Sequence, residues 1–405
     1  MNKILTMFFL LVLSSTLIAC EKETVPLNEG VKNPLVTEGN SEFAFDIFRE
    51  LNNDDYNENI FISPFSISSA LAMTLNGAVG DTKDSMQTTL QLKDINIEDM
   101  NNGFAYLNHM LTNLDDDVEI NIANSLWVKD EFTMNKQFEF DIKSNFNANA
   151  TLLDFEDDKS VDVINEWVSD KTNDLIDEII IGIDPYAALI LLNAIYFNGS
   201  WQDEFDPSKT QSRDFTTIDK NVIQVDMMNR TDEIGFYEDS EITAVKLPYG
   251  DGSISMYCVL PNGNEDINSV IREMNVDKWN DLRNEMNYFY EVTLELPKFK
   301  MEYGIKELND ALINLGMDVA FDERAYFPDL IEGMEDNLYI NAVNHKAVVD
   351  VGEGGTEAAA VTSVVTAPGA SPIEIEERTF IANRPFLFII GDEEGNILFM
   401  GKKVT

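Results

Sequence analysis

The sequence predicts a single α+β domain built on a large central β-sheet and spanning residues 41–405, and three observations predict it. Helical-period apolar faces and strand-like runs are interleaved along the chain, no segment repeats another, and no shift in composition divides it. At 405 residues and 44% hydrophobic content, the chain carries enough apolar side chains for one large core or two smaller ones.

The elements follow in order. Lys3 precedes the apolar run Ile4 to Leu13, then small and polar residues and Leu17-Ile18-Ala19-Cys20. This is the layout of a secretory signal, with an apolar stretch too short for a comfortable transmembrane helix. The tetrapeptide resembles the lipobox of bacterial lipoproteins, which implies removal of residues 1–19 and a lipid on Cys20; a plain signal peptide with a chance cysteine is the competing reading. Residues 20–40, polar and carrying Pro26, Gly30 and Pro34, read as a flexible tether.

Past Ser41, Phe43, Ile47, Phe48 and Leu51 form one helical face. Ile67 to Leu75 reads as a largely buried helix stopped by Gly77 and Gly80. Val118, Ile120 and Ile122 alternate with Glu119 and Asn121 as a half-buried strand, whereas Ala188 to Phe197 is almost continuously apolar, as in a strand covered on both faces. A strand over Val292 to Leu296 ends at Pro297, and Ile305, Leu308, Leu312 and Leu315 predict a helix ending at Gly316. Phe386 to Ile390 and Ile397 to Met400 predict a buried hairpin.

Charge and side-chain inventory exclude several functions. The 73 acidic against 28 basic residues leave a net charge of −45, a field that repels nucleic acid and anionic membranes. Such acidity suits colloidal solubility, a salty habitat or a cationic partner alike. Only two histidines exist, His109 and His345, and no Gly-x-Ser-x-Gly elbow accompanies them. A zinc site would need ligands beyond these and a cysteine, so no metal or cofactor is expected. With Cys20 set aside, Cys258 alone remains; it lies in the apolar run Ile254 to Leu260, so no internal disulfide is available.

One segment does not fit an ordinary fold. Between the strand-like Ala347 to Val351 and the C-terminal hairpin lies a long stretch, Gly352 to Pro372, of small residues uncharged beyond Glu357. Loops of this length are functional or disordered, yet Val361 to Thr366 is rich in β-branched residues that favour strands. A segment exposed at first and later inserted as a strand, hinged on Gly354 and Gly355, accounts for both traits. An inert surface loop is the competing reading.

Here the chain resembles a known family. Gly355-Thr356-Glu357-Ala358-Ala359-Ala360 is similar to the proximal hinge of inhibitory serpins. The family's pattern is matched again by Asn59-Ile60-Phe61-Ile62-Ser63-Pro64-Phe65-Ser66-Ile67 and Leu192-Asn193-Ala194-Ile195-Tyr196-Phe197-Asn198-Gly199-Ser200-Trp201. Leu296-Pro297-Lys298-Phe299, Asn344-His345-Lys346-Ala347 and Asn383-Arg384-Pro385-Phe386 follow in the family's order. The resemblance implies a metastable serpin fold with a reactive-centre loop at about 352–375.

It also implies a function: irreversible suicide-substrate inhibition of serine, or cysteine, endopeptidases. The protease cleaves the loop, forms an acyl-enzyme and is trapped when the freed arm inserts into the central sheet. Alternation along a strand puts Thr356, Ala358, Ala360, Thr362, Val364 and Thr366 on the buried face of such an arm, and all are small or β-branched. Counting forward from Gly355 gives a reactive bond at Gly369–Ala370; counting back from Asn383 gives Ser371 or beyond. Ala367, Ser371 and, less simply, Glu374 stay open. Small residues at the bond suit elastase-like or subtilisin-like targets rather than trypsin-like ones.

By resemblance Ser63, Ser66, Asn193 and His345 form a polar cluster beneath the sheet where strands must part, and Trp201 lies near the top where insertion begins. Singly, each reads as a satisfied core residue, or as a helix cap in the case of Ser66. The partners expected are a covalently held endopeptidase and, through the Cys20 lipid only, a bacterial envelope membrane, with the protein a monomer and either face of that membrane, the cell surface included, left open. No dense Lys/Arg cluster suggests a polyanion cofactor. The alternative function is a non-inhibitory serpin acting as a binding or structural protein.

Overall fold

The computed structural model describes residues 25–114, 116–263, 265–333, 338–356 and 376–405. Three sheets organise them. The central one runs β11 (Phe299–Glu302), β13 (Ala342–Gly352), β14 (Gly355–Thr356), β4 (Leu189–Ser200), β2 (Val118–Lys129) and β3 (Asn149–Leu153), with β12 (Lys306–Glu307) paired to β13. A second runs β1 (Ile60–Ile62), β17 (Ile397–Lys403), β16 (Phe386–Asp392), β9 (Ile254–Pro261), β8 (Ile242–Tyr249) and β7 (Gly235–Glu238). The third runs β15 (Glu376–Ile381), β10 (Tyr290–Pro297), β6 (Val222–Asp232) and β5 (Gln211–Thr216).

Helices α1 (Pro34–Asp54), α2 (Pro64–Leu75), α3 (Gly80–Thr89), α4 (Ile97–Leu111), α5 (Lys136–Phe146), α6 (Ser160–Lys171), α7 (Ile267–Glu273), α8 (Val276–Asn284) and the short α9 (Asn309–Leu312) surround the sheets. None of those described is long and apolar enough to cross a membrane.

The central sheet is buried on both faces, which is why Leu189 to Phe197 reads as an unbroken apolar run. Its rear face packs Ile120, Leu126, Leu191, Ile195 and Phe197 into the main core with α2 and the second sheet. Its front face packs Trp127, Ile190 and Leu192 against Ile164 and Val168 of α6, forming a separate cluster. Cys258 is fully buried in β9, where desolvation pushes its thiol far above the ordinary range.

Three expectations are corrected. The flexible tether does not extend to residue 40, because α1 begins at Pro34, whose fixed φ suits the first helical turn, and Asn33 caps it. Val36 is fully buried against Gly103, and further upstream Asn28 Nδ2 donates to Asn102 Oδ1 (3.0 Å) and Asn145 Oδ1 (2.9 Å). Val36, Phe43, Ile47 and Leu51 make one longer apolar stripe than the one that starts at Phe43. Val36→Ala is accordingly expected to cost about 2 kcal/mol of stability, read as a lower urea midpoint; a disordered tether would show no change.

The helix expected over Ile305 to Leu315 is also reshaped. Residues Lys306–Glu307 add a short strand to β13, α9 spans Asn309–Leu312, and the chain continues as a π turn and a 3-10 turn. Gly316 at φ +106° breaks the helical path within that stretch. Gly80, expected to stop a helix, instead opens α3 at φ +58°.

Candidate functional site: the seam and hinge of the central sheet

Strands β13 and β4 pair in parallel from Ala342↔Ile190 to Val348↔Tyr196. Above that level they part, and β14 fills the gap, with Thr356 opposite Gly199 of β4 and Val351 of β13, antiparallel to both. The seam is therefore zipped below and open above.

A cage of contacts holds this mouth. The chain leaves β13 at Gly352, turns through Glu353 and Gly354, and re-enters the sheet at Gly355. Trp201 Nε1 donates to the Gly352 carbonyl (2.9 Å) and its backbone N–H to the Gly354 carbonyl (2.9 Å), while its ring stacks on Tyr249 at 4.3 Å. Thr356 is fully buried, and its hydroxyl lies 3.0 Å from the Tyr249 hydroxyl. Glu353 bonds Lys298 Nζ (2.7 Å) and Thr210 Oγ1 (2.8 Å). Burial alone would raise the Glu353 carboxyl, but those donors outweigh it and hold it below the ordinary carboxylate range.

Gly355 explains itself sterically. Its φ is +139°, and a Cβ there would stand 2.2 Å from the Gly199 carbonyl oxygen. Only glycine lets the turn approach β4 so closely. The expected hinge is thus in place as a strand at Gly355 and Thr356. Glu357, Ala358, Ala359, Ala360, the bond Gly369–Ala370, its alternatives Ala367, Ser371 and Glu374, and Cys20 lie outside the described residues.

Lower in the seam, a polar ladder crosses three strands at one level, because Asn124, Asn193 and His345 are neighbours in register. His345 Nε2 accepts the Ser63 backbone N–H (3.1 Å), so the proton sits on Nδ1 and is donated to Asn193 Oδ1 (2.5 Å). Asn193 Nδ2 faces both Ser66 Oγ and Asn124 Oδ1. Asn124 Nδ2 in turn donates to Ser69 Oγ at 3.2 Å, and Ser63 Oγ to the Leu398 carbonyl at 2.7 Å. Every member is buried, and desolvation lowers the His345 imidazole to about 3.

The structure thus brings Ser63, Ser66, Asn193 and His345 together, with Trp201 apart at the mouth. The cap of α2 is Ser63, whose Oγ accepts the Ser66 N–H, rather than Ser66. Four participants escape sequence reasoning. Asn124 carries a usable signal, a polar residue in phase with Ile120, Leu126 and Val128 on the core face of β2, whereas Ser69, Tyr249 and Glu353 carry none. His109, by contrast, is exposed on α4 and joins no cluster.

A glycine turn, a parallel seam and a polar ladder could occur in unrelated sheets, but the family model described as "Serpin (serine protease inhibitor)" matches residues 38–405. The chain belongs to the serpin family. It is 35% identical over 376 residues to an uncharacterized serpin-like protein of Methanosarcina acetivorans, covering 91% of this chain and 87% of that one. Leukocyte elastase inhibitor of Sus scrofa is 33% identical over 375 residues, covering 90% of this serpin and 97% of the relative. The native crystal structure of tengpin, a thermophilic serpin, superposes with a TM-score of 0.85 at 34% identity, covering 94% of this chain and 96% of the other.

In this serpin the candidate site is a path along the sheet rather than a pocket. That path runs from the Trp201–Gly355 mouth down the β13–β4 seam to the Asn193–His345 ladder. On the front face the segment after α6 bridges part of it, since Asn344 Nδ2 donates to the Ile179 carbonyl (3.3 Å) and Lys346 Nζ to the Glu178 carbonyl (3.0 Å).

Proposed function

We propose that this serpin is an irreversible suicide-substrate inhibitor of serine endopeptidases, with cysteine endopeptidases a second target class. The observation that carries the reading is the placement of Gly355 and Thr356, already paired at the open mouth of a seam that is zipped below them. A strand extended from Thr356 replaces one parallel ladder by two antiparallel ones, adding backbone hydrogen bonds and burying its own apolar face. That gain is available only after the loop is cut, which frees its upstream arm.

Register indicates where the arm would go. Each residue beyond Thr356 moves one position down β4 from Gly199 and one down β13 from Val351, so Thr362 arrives level with both Asn193 and His345. Its hydroxyl can accept from His345 Nδ1 and donate to Asn193 Oδ1, replacing the bond that insertion breaks. Thr362→Val, of nearly equal volume, leaves those groups unsatisfied. It should raise the number of inhibitor molecules consumed per protease trapped by several-fold, as titration of residual protease activity would show. An unchanged stoichiometry would remove Thr362 from that role.

Gly369–Ala370 is the bond we assign to the cut, and its small residues favour elastase-like or subtilisin-like targets. We further propose that Cys20 carries a lipid holding the serpin to a bacterial envelope membrane, facing outward. Incubating residues 25–405 with elastase-like, subtilisin-like and trypsin-like proteases tests the central claim. A denaturant-stable complex with either of the first two, and a released peptide beginning at Ala370, is expected. Cleavage without any complex would favour a non-inhibitory serpin.

A further inference from the structure

The turn before β10 carries the most exposed phenylalanine of the described residues. Phe289 is 85% exposed and the adjacent Tyr288 is 47% exposed. Such exposure usually accompanies a loose backbone, but this turn is pinned. Asn287 and Phe236 exchange backbone N–H···O bonds at 2.9 Å each, and the Phe289 N–H donates to Asn287 Oδ1 at 2.9 Å. The Tyr288 ring packs over Gly235, close enough that a Cβ there would stand 3.1 Å from it. Next in sequence, Tyr290 is held by an edge contact with Phe236 at 5.7 Å and by the Arg378 guanidinium 4.4 Å over its ring. A rigid backbone presenting an uncovered aromatic ring loses little entropy on binding, the property of an interface anchor.

Its position gives that anchor an occupant. Tyr290 pairs in parallel with Glu376, the residue at which the described chain resumes after the reactive-centre loop. Neighbouring strands stand about 4.8 Å apart, so Phe289 lies beside the point where the downstream arm of the loop joins the body. At full extension the six residues from Ala370 to Glu376 span at most about 20 Å, so the side of a protease cleft beyond the proposed bond can reach Phe289. The surrounding strand ends expose Asp232, Glu233, Glu291, Glu376 and Glu377, against which Arg378 is already bonded to Glu376 at 2.6 Å.

We propose that Phe289 and Tyr288, ringed by these carboxylates, form a second docking surface for the target protease, outside the bait itself. It fits a protease whose rim offers an apolar depression bordered by basic residues. This inference rests on the inhibitory reading above and adds a determinant of target choice to it. The aromatic ring supplies affinity in the first encounter, and the carboxylates speed that encounter by steering.

The test uses the same soluble protein and whichever protease the wild type traps. Phe289→Ala should lower the second-order rate of complex formation about tenfold, with an unchanged thermal midpoint and unchanged stoichiometry. Phe289→Tyr should keep most of the rate. Glu291→Lys with Glu377→Lys should slow association at low salt and flatten its salt dependence. A Phe289→Ala rate within twofold of wild type for every trapped protease overturns the docking surface while leaving inhibition intact. If the wild type traps none, the inhibitory reading fails and this inference falls with it.

Discussion

Replacing Thr356 by arginine is expected to convert the proposed inhibitor into a substrate: the loop is still cut, and no denaturant-stable complex forms. Thr356 is fully buried between β13 and β4, with its hydroxyl against Tyr249. A guanidinium at that place would be desolvated without a carboxylate partner, at a cost of several kcal/mol. Either the hinge stays out of the sheet or insertion stalls at its first step, and hydrolysis of the acyl-enzyme wins the race. The proposed bond, Gly369–Ala370, lies 13 residues further along the sequence, so cleavage itself should be spared. Thr356→Ser, which keeps the hydroxyl and reduces bulk, should retain trapping. Electrophoresis under denaturing conditions after mixing with protease reads both variants, and an arginine variant that still forms the covalent band would refute the insertion path.

Acid should weaken the native sheet through one residue. His345 has an imidazole lowered by burial to about 3, against about 6.5 when exposed. In the folded chain it stays neutral because Nε2 must accept the Ser63 N–H. Below pH 6.5 the unfolded chain takes up a proton that the folded chain refuses, so stability falls as pH drops and continues to fall toward pH 3. By pH 5 the loss from this group is about 2 kcal/mol. The window from pH 7 to 5 isolates the effect, since most carboxylates remain ionised there. Urea midpoints measured across it should slope for the wild type. His345→Gln should start less stable at pH 7 and show little slope; a flat wild-type curve would mean that the ladder tolerates a charged imidazole.

How much of this was legible depends on the range of each signal. The helix over Ile67 to Leu75, the strands around Val118, Leu192 and Val292, and the C-terminal hairpin all follow from local periodicity, and they are found as α2, β2, β4, β10 and β16–β17. Periodicity misplaced the start of α1 because Pro34 signals both a linker and a first helical turn, and only the contact of Val36 with Gly103 decides between them. It overextended the helix after Ile305 because β13 offers an edge that captures Lys306 and Glu307. Asn124 shows in the sequence as a polar residue on the apolar face of β2, but its partner is fixed only by the register that sets it beside Asn193.

By itself, the sequence determined the element types, the family and the composition of the arm: a glycine hinge followed by small and β-branched residues at alternate positions. Those are local properties, written in side-chain size and spacing. Only the tertiary structure decided that the seam is zipped from Ala342 to Val348, that Thr356 already occupies its mouth, that Glu353 and Tyr249 hold it there, and that Phe289 stands beside the loop's return. Strand pairing is a choice among partners far apart in the chain, settled by the whole core at once, and no window of sequence contains it.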